Sequence, residues 1–376
     1  MNLPNPKLPA FQPTFLRLAF LFILLGPHLA SAQGWAQLGA DLDTTIIPGR
    51  FGKAVSASED GSIVAVTNPD ADTSRGAIKV FRLQGGSWVP MGADIVGPTR
   101  NELMGDAVQL SDNGQRLIVG SKYQSFYTPT FGIGLARVYE YQPGSNSWTQ
   151  MGSTLYPDSA GANNAHFGHA VSISGDGNRV AVGALHSYST HGHAKVYEWT
   201  GSNWQQVGAS FPGLGFVPNS NAGSSVSLSR TGDMVAIGYK NAYRSLPNNN
   251  YISLGAVQVF HWNGSSWVLR GASLYGDNHR DEFGNSVSLS ADGSRVAVGA
   301  NSSFGSGQDS PIGYVKVFEY SQASQSWAQL GAKLRGASLD DQMGYSVSLS
   351  SNGNRLAALR SGKRSGRRRF WFGKNI

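Results

Sequence analysis

The chain has 376 residues, of which only 14% are charged and 48 are glycine, and its formal net charge is +7. Long charged helices would not give this profile, whereas many short strands joined by glycine-rich turns would. The segment from Arg360 to Ile376 holds seven of the 30 basic residues and no acid, so the rest of the chain balances 23 basic against 23 acidic residues. This neutral body argues against a surface that binds nucleic acid.

Residues 1–32 have the pattern of a secretory signal peptide. Lys7 and Arg17 precede an apolar run from Leu18 to Leu25, and Ala30-Ser31-Ala32 supplies the small residues of a cleavage site. The run is too short to cross a bilayer, which needs roughly 20 apolar residues, so an uncleaved anchor is the weaker alternative. We expect a mature start near Gln33, a secreted or cell-surface location and no stable membrane span.

The body of the chain, residues 33–359, is built from a repeat. The central glycines of the repeat are Gly52, Gly105, Gly168, Gly223, Gly284 and Gly344. The tryptophans that close each unit are Trp35, Trp88, Trp148, Trp204, Trp267 and Trp327. Periods of this length indicate a solenoid, a propeller or an array. Because the tryptophans stand at the same place in every unit, we expect them to pack between units.

Each unit predicts four antiparallel strands. Alternating residues such as Val287-Ser288-Leu289 form the first strand, and an Asp-Gly or Asn-Gly pair then predicts a two-residue type I′ hairpin. Four strands per repeat predict an all-β fold, a β-propeller of four-stranded antiparallel blades. The chain opens with a lone fourth strand, Trp35 to Leu42, and its last unit lacks one. We therefore expect six blades, one of them a composite of both termini; a truncated seven-bladed ring is the alternative.

The repeat resembles a known family at the pairs Phe167-Gly168 with Gly183-Ala184 and Phe283-Gly284 with Gly299-Ala300. This pattern is similar to the FG-GAP repeat, which builds the propeller of integrin α chains and of many secreted proteins. The resemblance implies a propeller fold and extracellular recognition. Integrin propellers carry calcium loops between their first two strands; because those loops are short hairpins here, the resemblance does not extend to calcium.

Long loops are predicted between the second and third strands and between units, all on one face. Recognition residues commonly lie on such loops. Their aromatic residues predict contacts to a protein or glycan partner, with packing onto neighbouring loops as the alternative. The candidate ligand-binding residues are Tyr123, Tyr127, Tyr239, Tyr243 and Tyr251.

Three histidines of the third unit, His166, His186 and His191, lie in loops on the same face. They could form a zinc site, although no compact ligand spacing supports it and a solvated polar loop is the alternative. Three acids precede the repeat Phe/Met-Gly pair by two residues: Glu102, Asp281 and Asp341. We expect each of them to cap backbone amides of its own turn rather than to form a ring of cation ligands.

The sequence has no cysteine, so no disulfide contributes to stability. Asn263 and Asn301 begin N-glycosylation sequons, which matter only in a eukaryotic host. Residues 360–376 depart abruptly from the repeat, and we expect a disordered basic tail or an atypical gene end.

The sequence contains no motif of a serine hydrolase, a zinc protease or a phosphate-binding loop, and no cofactor is predicted. We therefore expect a binding or adhesion scaffold for an extracellular protein or glycan, with no nucleic-acid partner. A propeller enzyme acting on polysaccharide and a purely structural surface protein are the alternatives.

Overall fold

The computed structural model describes residues 37–42, 49–122, 132–157, 165–185, 192–214, 220–247, 250–301, 312–337 and 341–359, with the backbone alone for Arg360 and 369–373. Residues 1–38 and 39–376 are separate units, and the architecture below is that of the second. The predicted signal peptide, Trp35, Tyr123, Tyr127, His186 and His191 lie outside the described residues. No helix among the described residues is long and apolar enough to cross a bilayer.

The fold is all-β and propeller-like, as the repeat predicts. Five successive antiparallel sheets follow the order first, second, third, fourth strand, and a sixth has three strands. Sheet 1 contains β1 (Val55–Ala57), β2 (Ile63–Asn68), β3 (Ala77–Gln84), β4 (Ser87–Pro90) and the short β5 (Ile95–Val96), and a single turn, α1 (Ala71–Ser74), follows β2. Sheet 2 contains β6 (Ala107–Leu110), β7 (Arg116–Ser121), β8 (Leu135–Gln142) and β9 (Ser147–Gln150). Sheet 3 contains β10 (Phe167–Ile173), β11 (Arg179–Ala184), β12 (His193–Trp199), β13 (Trp204–Gln206) and β14 (Phe211–Pro212).

The remaining sheets repeat this order. Sheet 4 contains β15 (Ala222–Leu228), β16 (Met234–Tyr239), β19 (Ala256–Trp262), β20 (Trp267–Leu269) and β21 (Leu274–Tyr275), with an inserted hairpin of β17 (Tyr243–Ser245) and β18 (Tyr251–Ser253). Sheet 5 contains β22 (Phe283–Leu289), β23 (Arg295–Ala300), β24 (Tyr314–Ser321), β25 (Ser326–Gln329) and β26 (Leu334–Arg335). Sheet 6 contains β27 (Ser346–Leu349), β28 (Leu356–Arg360) and β29 (Arg369–Gly373).

The turn between the first two strands differs from the predicted type I′ hairpin. In sheet 1 the Ser58 amide donates to the Ile63 carbonyl, so four residues rather than two form the loop. A type I′ turn requires a positive φ at both central residues. Gly61 has a φ of 71°, but the φ of Asp60 is not positive. Asp60 instead accepts hydrogen bonds from the Ser58 hydroxyl and the Ser62 amide. These bonds lower the pKa of Asp60 to about 2.

The hydrophobic core consists of layers between successive sheets. One cluster joins sheets 1 and 2 and includes Ile63 and Leu117; the other four join sheets 2 and 3, 3 and 4, 4 and 5, and 5 and 6. We call the place where sheet 6 would face sheet 1 the seam. The described residues form no such cluster there. At the seam Val55 is 64% exposed, whereas its repeat equivalent Val108 is 9% exposed.

Pairs of glycines bring successive sheets together, and these contacts explain the recurrence of the repeat. A Cβ added at the second-strand glycine would lie within 3.0 Å of the carbonyl oxygen of the central glycine in the next sheet. We call these contacts the glycine joints: Gly120 with Gly168, Gly183 with Gly223, Gly238 with Gly284, and Gly299 with Gly344. Between sheets 1 and 2, Thr67 replaces one glycine, and its hydroxyl donates to the Gly105 carbonyl at 2.7 Å.

The closing tryptophans pack between sheets, as predicted. The Trp204 indole is 8% exposed and donates from Nε1 to the Met151 carbonyl of the preceding sheet at 2.9 Å. Equivalent bonds run from Trp148 to Met91, from Trp267 to Val207 and from Trp327 to Arg270. A glycine of the preceding sheet lies beside each of these three indoles: Gly92, Gly208 and Gly271.

Both chain ends of the repeat differ from prediction. The described part of the expected strand Trp35 to Leu42, residues 37–42, contains no strand, although Gly39 lies beside Trp88 as Gly92 lies beside Trp148. At the other end β29 pairs with β28 as a third strand. Residues 369–373 of the basic segment therefore form a strand of sheet 6.

Candidate functional site at the centre of the sheets

In sheets 3, 4 and 5 a β-bulge interrupts the pairing at the start of the first strand. In sheet 3 the pairing register shifts between Phe167 and Ala170, and the same shift occurs in sheets 4 and 5. Bulges of this kind change the direction of a side chain without ending the strand. The residues directly after the central glycine are Lys53, Asp106, His169, Ser224, Asn285 and Tyr345.

The His169 imidazole responds electrostatically to lysines and a histidine of four successive sheets, and we call these groups, together with His169 and Asp106, the mouth. The mouth comprises Lys53, Asp106, Lys122, His166, His169 and Lys240. Lys122 and Lys240 each follow a second strand directly, so all six residues lie at the same end of the sheets. Asp106 has a 3% exposed side chain, and the Lys122 ammonium lies 3.5 Å from its Oδ1.

Two mouth side chains have unused hydrogen-bonding capacity. Both carboxylate oxygens of Asp106 and Nδ1 of His169 are buried without a hydrogen-bond partner among the described residues. Burial first, and then the charges of Lys122, Lys240, His166 and Lys53, lower the pKa of His169 to about 3. The imidazole is therefore neutral at physiological pH, and the groups of the mouth around it include three lysines and one carboxylate.

The opposite end of the first strands is closed. The hairpin turns of the six sheets meet there, each through one residue. We call these six residues the turn ring: Glu59, Asp112, Gly175, Arg230, Ala291 and Ser351. Each backbone amide from Glu59 to Ala291 donates to the carbonyl of the next member at 2.8 to 3.0 Å. The Arg230 guanidinium contacts Asp112 at 2.7 Å and donates to both carboxylate oxygens of Glu59. Arg230 thereby links sheet 4 to sheets 1 and 2.

The acids that precede the Phe/Met-Gly pair divide into two kinds. Asp281 accepts hydrogen bonds from the amides of Asp277 and Asn278, and Asp341 accepts one from the amide of Ala337. For these two the predicted capping role is confirmed. Glu102 differs, because it forms a buried ion pair with Arg137 and accepts from the Thr99 hydroxyl.

The predicted tyrosine surface is only partly present. Tyr239 as a loop contact residue is wrong: it ends β16 with 1% of its surface exposed, and burial raises its pKa. Tyr243 and Tyr251 lie on the inserted hairpin of sheet 4, where Tyr251 is 49% exposed and Tyr243 half-buried. Nothing in the described structure brings these two residues to the mouth, and their role in binding stays a prediction.

The predicted zinc site is represented by a single described residue. His166 has a left-handed backbone, with a φ of 50°, and lies at the mouth beside His169. The described residues contain no group of three or more His, Cys, Asp or Glu side chains that could hold a metal ion.

The two sequon asparagines have contrasting environments. Asn263 lies in an exposed turn, where its Oδ1 accepts from the amides of Ser265 and Ser266. Asn301 is 7% exposed, and its Oδ1 is buried without a hydrogen-bond partner among the described residues. A glycan on Asn301 would need this side chain at the surface, so that prediction is wrong for the folded protein.

A cavity of about 560 Å³ lies away from the mouth, between sheets 4 and 5. Its charged lining residues are Arg244, Asp277 and Lys316, and the Arg244 guanidinium lies 5.7 Å from the centre of the Tyr275 ring. Lys316 and Lys333 both form ion pairs with Asp277. Burial would raise the pKa of Asp277, but hydrogen bonds from these lysines outweigh it and lower the pKa. The carboxylate thus already neutralises the nearby ammonium groups.

Sequence reasoning missed both the mouth and Arg230. The signal was present at two variable positions of the repeat, the residue after the central glycine and the second residue of the hairpin turn. At the turn position an arginine stands in one unit and acids stand in two others. Only the spatial convergence of the turns shows that these residues meet.

Known structures share the fold at low sequence identity. Hydrazine synthase of Kuenenia stuttgartiensis is 13% identical, with a TM-score of 0.53, and the match covers 86% of this chain and 84% of that one. A functionally unknown protein from Desulfotomaculum acetoxidans is 16% identical, with a TM-score of 0.53 and coverage of 88% and 85%. No family model and no curated protein matches the chain. The similarities define the fold alone.

Proposed function

We propose that this chain is a secreted or cell-surface β-propeller that binds a protein or glycan partner through the mouth and the loops around it. The observation that carries the proposal is the asymmetry between the two ends of the first strands. One end holds three lysines and the Asp106 carboxylate, which accepts no hydrogen bond from the described residues, whereas Arg230 links the turns at the other end. Loops on a rigid scaffold are the usual location of recognition residues, and the loops at the mouth end are the long ones.

We further infer that the six sheets form one closed ring of six blades. Gly39 lies beside Trp88 where an outer strand of a preceding blade would place its glycine, so the segment around Gly39 completes sheet 6. Contacts across the seam also support closure, because the Ser351 hydroxyl lies 3.4 Å from Glu59 Oε1. The ring places sheets 1 and 4 opposite each other, which agrees with the contact between Arg230 and Glu59.

Membership of the FG-GAP repeat family is part of this proposal. The glycine joints give the recurring glycines a physical role, since both are needed for the close approach of neighbouring sheets. Extracellular recognition is what that family resemblance implies for this chain.

The binding role is tested by a partner screen on the mature protein, with a glycan array and a pull-down from extracellular material. The mouth variant carries Lys53→Gln and Lys240→Gln, and a matched control carries Lys79→Gln and Lys333→Gln, whose lysines pair with Asp94 and Asp277 away from the mouth. We expect the mouth variant to lose the partner and the control to retain it. Equal binding by both variants would refute a ligand site at the mouth.

Export is tested separately by sequencing the N-terminus of the protein recovered from the medium. We expect it to begin at or near Gln33. Full-length protein confined to the cytosol would contradict a secreted role while leaving the geometry of the mouth unchanged.

A further inference from the structure

Another cavity, of about 350 Å³, lies between sheets 3 and 4, and none of its described lining residues carries a charge. Sheet 3 contributes residues 209–214, which include β14, and sheet 4 contributes residues of β16, β19 and β20. The larger lining side chains are Phe211, Leu214, Tyr239, Gln258, Phe260 and Trp267. A mostly apolar and aromatic lining with a few polar groups is typical of sites for small molecules.

Three of these side chains are rings in mutual contact, and we call them the aromatic wall. The Phe211 ring lies 4.8 Å from the ring of Phe260 and 5.7 Å from that of Trp267. Both pairs are tilted, an arrangement that aromatic rings favour over a face-to-face sandwich. The Trp267 indole is fixed by its N–H, which donates to the Val207 carbonyl at 2.9 Å. A flat aromatic ring in the cavity would extend the wall by the same kind of contact.

The Tyr239 hydroxyl is a polar group of this cavity that the described protein leaves without a partner. Tyr239 belongs to the core layer between sheets 3 and 4, on the same face of β16 as Val235 and Ile237, and is 1% exposed. Burial alone raises its pKa, since no charge and no hydrogen bond from the described residues acts on the phenol. Burial of a hydroxyl without a hydrogen bond is unfavourable, so a ligand that carries an acceptor would supply what the cavity lacks.

Gln258 replaces a cation that the other sheets carry at the same place, the third residue of the third strand. The equivalent residues of sheets 1, 2, 3 and 5 are Lys79, Arg137, Lys195 and Lys316. Three of these cations form ion pairs with acids: Lys79, Arg137 and Lys316. The Gln258 amide nitrogen instead donates to the Ser273 hydroxyl at 2.9 Å, and its Oε1 accepts no hydrogen bond from the described residues. Sheet 4 therefore has an uncharged polar group where its neighbours have ion pairs.

We propose that this cavity binds a small uncharged aromatic molecule that accepts a hydrogen bond from the Tyr239 hydroxyl, with the Gln258 amide oxygen open to a donor of the same molecule. A primary aromatic carboxamide has this chemistry, because its carbonyl accepts and its N–H groups donate. An ion fits poorly, since its charge would be buried against a lining that holds no counter-charge. Lys240 of the mouth follows Tyr239 directly but does not line the cavity, so the proposal does not rest on the proposed function.

The test titrates the mature protein with three probes of one shape and different charge: benzamide, benzoate and benzamidinium. Binding is followed by NMR at the Trp267 indole N–H, assigned with Trp267→Phe. The Trp327 indole is the internal reference, because it makes the equivalent bond to Arg270 between another pair of sheets. We expect benzamide to shift the Trp267 resonance saturably and to bind at least about tenfold more tightly than either ion. Equal affinity for all three probes, or no shift at Trp267, would overturn the proposal.

Tyr239→Phe removes the hydroxyl alone. Because the phenol makes no hydrogen bond to the described residues, the variant should melt like the wild type. Benzamide should bind about fivefold more weakly, the effect of one neutral hydrogen bond. Tyr243→Phe, on the inserted hairpin of sheet 4, is the matched control and should leave the affinity unchanged. Undiminished binding by Tyr239→Phe would overturn the hydroxyl as the ligand contact.

Gln258→Lys restores the cation of the other sheets and introduces a charge into the cavity. We expect this variant to lose benzamide binding while its melting curve shows that it is folded. A folded Gln258→Lys protein that binds benzamide as tightly as the wild type would refute the site. The partner screen with the mouth variant is independent of this result, so failure here leaves the proposed function standing.

Discussion

The glycine joints and the seam are equivalent positions in the repeat with different packing. At the joint between sheets 3 and 4, Gly183 and Gly223 are so close that a single added methyl group would collide with backbone. At the seam the equivalent residues are Leu359 and Gly52, and a Cβ added at Gly52 would meet nothing within 4 Å. The second-strand position of sheet 6 thus carries a leucine where sheets 2 to 5 carry a glycine.

This difference indicates what the repeat glycines contribute. A glycine inside a strand costs about 0.5–1 kcal/mol relative to alanine, so its recurrence at a fixed position reflects a compensating gain. At the joints that gain is close sheet-to-sheet packing, with Val226 and Val287 each 8% exposed. At the seam the described residues form no apolar layer, and Val55 is 64% exposed. A closed ring, as proposed, would therefore depend on contacts outside the repeat glycines, chiefly the segment around Gly39.

The largest expected effect is that of Trp204→Ala. Truncation of a buried tryptophan costs about 3–5 kcal/mol, and this indole also donates a hydrogen bond to Met151 of the preceding sheet. Trp88, the equivalent residue next to the seam, is half-buried, so Trp88→Ala should cost less. Denaturant unfolding of the two variants measures both values. Equal losses would mean that the sheets pack as tightly near the seam as elsewhere.

The next effect concerns the glycines themselves. Gly183→Ala places a Cβ against the Gly223 backbone with no room to move, and we expect a loss of about 3 kcal/mol or more. Gly52→Ala at the seam meets no atom, but its φ of 78° disfavours alanine by about 1–2 kcal/mol. Gly144→Ala, which faces open space without positive φ, serves as the control and should be near neutral. A smaller loss at Gly183 than at Gly52 would contradict the joints as the tight contacts.

A smaller effect is expected at the turn ring. Arg230 is half-exposed, so each of its ion pairs with Glu59 and Asp112 should contribute less than about 1 kcal/mol. Arg230→Gln should lower stability modestly in dilute buffer and hardly at all in high salt, where exposed charges are screened. A loss that persists undiminished at high salt would show that packing, rather than charge, explains the role of Arg230.

The smallest effect at neutral pH is that of His169. Because its pKa falls from the usual 6.5 to about 3 in the folded protein, the unfolded chain binds the proton more readily. Stability should therefore fall as the pH decreases from about 6.5 toward 3, and His169→Gln should flatten that part of the pH profile. An unchanged slope in the variant would contradict the burial of a neutral imidazole.

The sequence predicted the fold better than the site. Period-two strands and recurring tryptophans lead directly to four-stranded sheets, because alternation and repeat length are local properties. The turn type was wrong because Asp60 and Gly61 permit two hairpin geometries, and the Ser58 hydroxyl favours the longer one. Tyr239 was misplaced because the end of a second strand and the start of a loop have the same composition.

The mouth could not be predicted because its residues are far apart in sequence. Lys53 and Lys240 belong to units one and four, and only the arrangement of the sheets brings them to the same imidazole. Asp106 carries no motif, since its chemistry depends on burial without a partner. Such a site follows from packing, which a single sequence does not encode locally.

The closed ring is tested most directly by a distance across the seam. The chain has no cysteine, so Ala57→Cys on β1 and Ser348→Cys on β27, both exposed, accept spin labels at two defined positions. Double electron–electron resonance should give one narrow distance distribution in the mature protein and a broad one when residues 33–42 are deleted. A broad distribution in the intact protein, or one that the deletion leaves unchanged, would contradict a ring closed by the segment around Gly39.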